Sequence, residues 1–136
     1  VITEIARYFE HEIGYEIPPR TPFVGHDFNV TRAGIHADGL LKDEEIYNIF
    51  NTQLILNRPA SVAIDAHSGL AGIAHWLNAQ LEEKGIDKTY GKRSSAVIKI
   101  KEMVDAQYAE GRNTTMSDEE LCAMVREVIP VLADRF

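Results

Sequence analysis

Along this chain, apolar residues return every three or four positions in successive runs, and each run is cut off by glycine or proline. That period is the helical one, and it leaves little room for the two-residue alternation that a half-buried strand requires. Ile2, Ile5, Ala6, Phe9 and Ile13 form the first stripe, closed by Gly14. Leu70, Ile73, Ala74, Leu77 and Leu81 form a second, with Ser68 as its expected cap and Gly85 as its left-handed stop. Val97, Ile100, Met103, Val104 and Tyr108 form a third over residues 94 to 110, stopped by Gly111. The last opens on Ser117 and Glu120 in capping-box spacing, buries Leu121, Met124, Val125, Val128 and Ile129, and meets Pro130.

The expected fold is mainly α: small helical subdomains joined by a Gly/Pro-rich loop segment, with at most one or two short strands. At 136 residues there is no space for a TIM barrel, which needs about 250. Pro18, Pro19 and Pro22 make residues 15 to 22 an extended connector, so a first boundary falls there. Residues 23 to 42 carry Gly25, Gly34 and Gly39 without a sustained period and read as a loop with at most short regular pieces. Asp43 to Asn51 reads as a short helix with Ile46, Ile49 and Phe50 inward and Tyr47 on an adjacent face, and Ser61 to Asp65 as a short strand. Three segments result: 1–22, 23–65 and 66–136. Because the chain opens at Val1 inside a helical pattern, the natural polypeptide is expected to begin upstream.

A net charge of −7 disfavours contact with phosphate backbones and anionic membranes, so neither nucleic acid nor membrane is an expected partner. No apolar run approaches the roughly 20 residues of a membrane span, and Glu4, Arg7 and Glu10 interrupt the N-terminal segment where a signal peptide would be apolar. The lone Cys122 can form no internal disulfide and reads as a small core residue, which suits a reduced, cytoplasmic location. His11, His26, His36, His67 and His75 lack the spacing of a helical zinc site, and no nucleophile elbow, phosphate loop or dinucleotide fingerprint occurs. No metal or cofactor is expected to be bound by this chain itself. The run Gly69-Leu70-Ala71-Gly72 reads as small residues that let a helix start pack closely.

One stretch could carry proton chemistry. In Ala33-Gly34-Ile35-His36-Ala37-Asp38-Gly39 an imidazole stands between glycines and two residues from a carboxylate. An orientable acid/base looks like this, and so does a turn in which His36 bonds a backbone carbonyl. Tyr47 similarly reads as a proton-handling phenol or as an amphipathic ring at the core edge. The second option in each case belongs to a non-catalytic helical oligomerisation module.

Residues 22 to 50, PFVGHDFNVTRAGIHADGLLKDEEIYNIF, resemble the region after the catalytic barrel in 2-isopropylmalate synthases and homocitrate synthases. Upstream, ITEIARYFEHEIGYEIPP resembles that family's last barrel-associated helix and its Pro-Pro exit. Downstream, Ala66-His67-Ser68-Gly69 and the helix from Met116 to Val125 continue the likeness. The resemblance implies a C-terminal domain of an acyltransferase of amino-acid biosynthesis, performing a Claisen condensation of acetyl-CoA with a 2-oxo acid. It implies a divalent metal (Mg, Mn or Zn) and acetyl-CoA bound by an upstream TIM barrel, which this chain does not contain. It carries the family's acid/base His onto His36 and its Tyr onto Tyr47. It also implies a homodimer, inactivity of the isolated chain, and partner surfaces for the stripes of 1–13 and 94–110. Thr31 stands where many relatives have a second His, Leu70 where they have Arg, and Ala37 where they have Gln. AGIHADGLLK together with SGLAGIAHWLN is also similar to a Re-type citrate synthase, whose substrate is oxaloacetate.

Overall fold

A computed structural model of the protein describes residues 1–31, 36, 39, 43, 48, 50–58 and 60–136. In chain order its elements are α1 (Ile2–Ile13), β1 (Val30–Thr31), α2 (Thr52–Leu56), β2 (Ser61–Val62), α3 (Leu70–Glu83), α4 (Ser95–Ala109), α5 (Asp118–Val128) and a 3-10 turn (Pro130–Leu132). The fold is mainly helical, and no barrel lies among the described residues.

The body of the molecule is α3, α4 and α5. Ile73, Leu77 and Leu81 from α3, Val97, Ile100 and Val104 from α4, and Leu121 and Val125 from α5 are fully buried and share one core with Val62 and Ile64. Each such side chain stabilises the fold by about 1.5–3 kcal/mol relative to exposure. The α4 stripe is therefore spent inside this chain, against the expectation that it seeks an outside partner: α3 and α5 flank it on the inner side. At Gly72 the start of α3 lies on β2, where a Cβ would make an ordinary contact with Val62 Cγ1 at 3.5 Å.

The terminators act as the residue types dictate. Gly14, Gly85 and Gly111 have φ of 68°, 66° and 98°. Ser94 caps α4 by accepting from the Val97 amide, and Ser117 and Glu120 close a full capping box on α5. Arg112 adds a two-pronged ion pair to Glu120 at 2.5 and 2.7 Å, and with the Ser117 amide it holds that carboxyl down at about 2. Cys122 packs partly buried against the core, and burial pushes its thiol up, which suits the packing role.

Two local expectations are corrected, and a third falls largely outside the described residues. Ser68 does not cap α3; Gly69 is the N-cap, because the Ser68 hydroxyl is engaged with Asp65 and Ala63. The strand is only Ser61–Val62, and it pairs in parallel with Val30–Thr31, one of the short regular pieces that the 23–42 stretch allows. Of the helix expected at 43–51, residues 44–47 and 49 lie outside the described residues, while 48 and 50 are bends and Asn51 caps a different helix, α2.

Helix α1 stands apart from the core. Ala6 and Thr3 are its buried residues, and the Thr3 hydroxyl donates to the Leu56 carbonyl at 2.7 Å. The rest of its apolar stripe faces outward, with Ile5 61%, Tyr8 67% and Ile13 64% exposed.

Candidate functional site at the His36 segment

His36 is exposed and lies in helical backbone, as does Gly39, whose carbonyl accepts from the Asp43 amide at 3.0 Å. That i to i+4 bond is helical, so His36 and Gly39 belong to one of the short regular pieces that the 23–42 stretch allows. Tyr47 lies outside the described residues, as do Gly34 and Asp38.

What the structure does build is a platform from residues on either side of this segment. Residues 18 to 28 fold back on themselves: the Thr21 amide donates to the Pro18 carbonyl, Gly25 to Thr21, Asp27 to Pro19 at 2.7 Å and Phe28 to Gly25. The backbone passes so close at Gly25 that a Cβ would lie 2.3 Å from the Pro19 oxygen. Phe23, at φ 66°, holds a left-handed conformation that a bulky residue adopts only under constraint. Its ring stacks on Phe50 at 5.7 Å and 15° and leans on Phe28 at 5.6 Å.

Arg58 supplies much of that constraint. Its Nη1 donates to the Phe23 and Val24 carbonyls, both at 3.4 Å, and its Nη2 to those of Gly25 and His26 at 2.8 and 2.9 Å. The Asn29 amide group donates to the Arg58 carbonyl at 3.1 Å, and β1 then pairs with β2. Sequence reasoning passed over Arg58, since nothing local marks a guanidinium whose acceptors lie more than thirty residues away.

At the other end of β2, Asp65 to Gly69 forms a second tight loop. The Ser68 hydroxyl accepts from the Asp65 amide at 2.9 Å, and Asp65 Oδ1 accepts from the His67 amide at 2.8 Å, leaving the His67 ring exposed. A groove of about 290 Å³ lies nearby between β2, α3 and α5, lined in part by His75, Trp76, Gln80 and Asp118. There the indole N–H of Trp76 donates to Asp118 at 2.8 Å, a bond that also ties α3 to the start of α5. Among the described residues no three His, Cys, Asp or Glu side chains gather as metal ligands, and no helix is long and apolar enough to cross a membrane. The donor set for the divalent metal implied by the resemblance is thus not offered by these residues.

The sequence is 55% identical over 135 residues, 99% of the chain, to the citrate (Re)-synthase of Clostridium kluyveri. It is 55% identical over 132 residues, 97% of the chain, to the citrate (Re)-synthase of Syntrophus aciditrophicus. A 2-isopropylmalate synthase of Solidesulfovibrio magneticus is 29% identical over 124 residues, 91% of the chain. The chain fits a C-terminal region of this synthase family. It spans only 30%, 21% and 22% of the length of these three relatives. No protein-family model matches. The recognition made from the AGIHADG and HSG motifs is thereby borne out, and the similarity runs through the platform, the core helices and the His36 segment alike.

Proposed function

We propose that this chain is the post-barrel region of a metal-dependent acyltransferase that condenses acetyl-CoA with oxaloacetate. One observation carries the reading: 55% identity across 99% of the chain to a protein named citrate (Re)-synthase, against 29% to a 2-isopropylmalate synthase. Identity of that size favours oxaloacetate over the 2-oxo acids of 2-isopropylmalate and homocitrate synthases, which the motif resemblance alone put first.

In such a condensation the acetyl methyl must lose a proton, its carbon must bond to the keto carbon, the new alkoxide must gain a proton, and water must then cleave the thioester C–S bond to give the carboxylate and the free CoA thiol. His36 serves this proton traffic as the acid/base, with Tyr47 as its phenolic partner. An imidazole suits the task because its ordinary pKa lies near neutrality, so it can give and take a proton at working pH. The exposure of His36 supports delivery of the ring into a site formed by another part of the enzyme. The metal and acetyl-CoA belong to the upstream barrel, and the outward apolar face of α1 is its seat. Residues 1–22 are then the barrel-side helix and connector, 23–65 the His36 subdomain, and 66–136 the helical body of a cytoplasmic homodimer.

The full-length enzyme tests this by release of the CoA thiol with oxaloacetate, 2-oxoglutarate and 3-methyl-2-oxobutanoate in turn. The expected result is a kcat/KM for oxaloacetate at least about tenfold above the others, within the discrimination that a pocket of fixed polar groups supplies. A preference for either other acid would move the substrate assignment, and thiol release with none of them would contradict the acyltransferase reading.

A further inference from the structure

We propose that Arg58 is a positioning residue for His36, resting on the reading of His36 as the acid/base. Thr31 lies five residues before His36 in the sequence and Phe50 fourteen residues after it. Both are tied to the same small structure. The Thr31 carbonyl accepts from the Ala63 amide at 2.9 Å, within the β1–β2 pair. The Phe50 ring stacks on Phe23. Phe23 in turn sits in a left-handed conformation, and its carbonyl and the next three all accept from the one guanidinium of Arg58.

The planar fork of arginine is suited to this. It presents five N–H donors in fixed directions, whereas a lysine ammonium is a compact charge that cannot span four successive carbonyls. A left-handed phenylalanine persists only where its surroundings over-determine it, and such residues cluster at functional sites. The Arg58 clasp also lies outside the residues that form the main helical core, so its purpose is not to close that core. Its effect is to fix the described residues on either side of His36.

A double-mutant cycle in the full-length enzyme tests this. Arg58→Met removes the fork, Arg58→Lys keeps the charge without the fork, and each is combined with His36→Ala. Each single Arg58 variant is expected to lower kcat by about tenfold or more, as misplacement of a reacting group does, while KM for both substrates stays within about threefold. On the His36→Ala background the same change is expected to lower kcat by less than about twofold, since no imidazole remains to be positioned. An equal loss on both backgrounds, or an unchanged kcat in the single variants, would overturn the positioning role while leaving the acid/base reading intact. If Arg58→Met does not fold, the Arg58→Lys cycle makes the same comparison. If His36→Ala alone leaves kcat unchanged, the acid/base reading falls and the positioning role falls with it.

Discussion

A methyl group on Gly25 would collide with the carbonyl oxygens of Pro19 and Pro18 and with the Thr21 amide nitrogen, at 2.3, 2.7 and 2.6 Å. All three are backbone atoms, so none can swing aside. Gly25→Ala should therefore open the 18–28 loop at a cost of about 1–3 kcal/mol, the range of overpacking. The reporter is the Asp27 amide, which donates to Pro19: its hydrogen exchange should accelerate about tenfold, and unchanged exchange would show that the loop relaxes without strain. Residues of this kind divide by how local their partners are. Ser117, Glu120 and Ser94 were legible because a capping residue bonds an amide three positions on. Ser68 misled because its hydroxyl turns back to Asp65 and Ala63, an equally local option that sequence does not rank. Arg58 and Phe23 were invisible because their meaning lies in a fold-back spanning more than thirty residues.

At the scale of elements, α3, α4 and α5 were readable since each has a sustained apolar stripe closed by a glycine or, for α5, by Pro130, and α4 and α5 also carry the caps expected of them. The β1–β2 pair was not, because two residues per strand carry no period and the partners are far apart in sequence. Helix α2 was missed because Asn51, read as the end of a helix, accepts from the Leu54 amide as the N-cap of another. The start of α5 offers two tests. Ser117→Ala should lower stability by about 0.5–2 kcal/mol in urea unfolding, the usual loss for an N-cap. Glu120, held at about 2 by Arg112 and the Ser117 amide against an ordinary value of 4.5, should show its contribution through pH. Its folded-state value is depressed, so its stabilising effect is complete above about 4.5 and disappears as pH falls toward about 2. The stability gap between the native chain and Glu120→Gln should narrow over that window; a constant gap would show that the Arg112–Glu120 pair contributes nothing.

For the whole molecule, the contrast between a closed core and a helix with its apolar side outward is the main organising fact. Ile5, Tyr8 and Ile13 of α1 are largely exposed while Val97, Ile100 and Val104 of α4 are not, so one stripe is covered within the chain and the other is not. If the upstream barrel covers the α1 stripe, as proposed, Ile5→Asp with Ile13→Asp should abolish co-purification of this chain with a separately expressed barrel. The thermal unfolding of the helical body should shift by less than a few degrees, since surface substitutions stay within about 0.5 kcal/mol. Retained co-purification would remove α1 as the docking face. The motif around His36 was the part of the candidate site that the sequence carried by itself; the ties among the described residues on either side of it became visible only in three dimensions. The central claim, that His36 moves a proton in the condensation, is tested most directly by steady-state kinetics of His36→Ala in the full-length enzyme. A kcat lower by about 10²- to 10⁴-fold with KM for acetyl-CoA and the 2-oxo acid little changed is the predicted result, because an acid/base acts in the transition state and not in ground-state binding. A kcat within threefold of the native enzyme would contradict it.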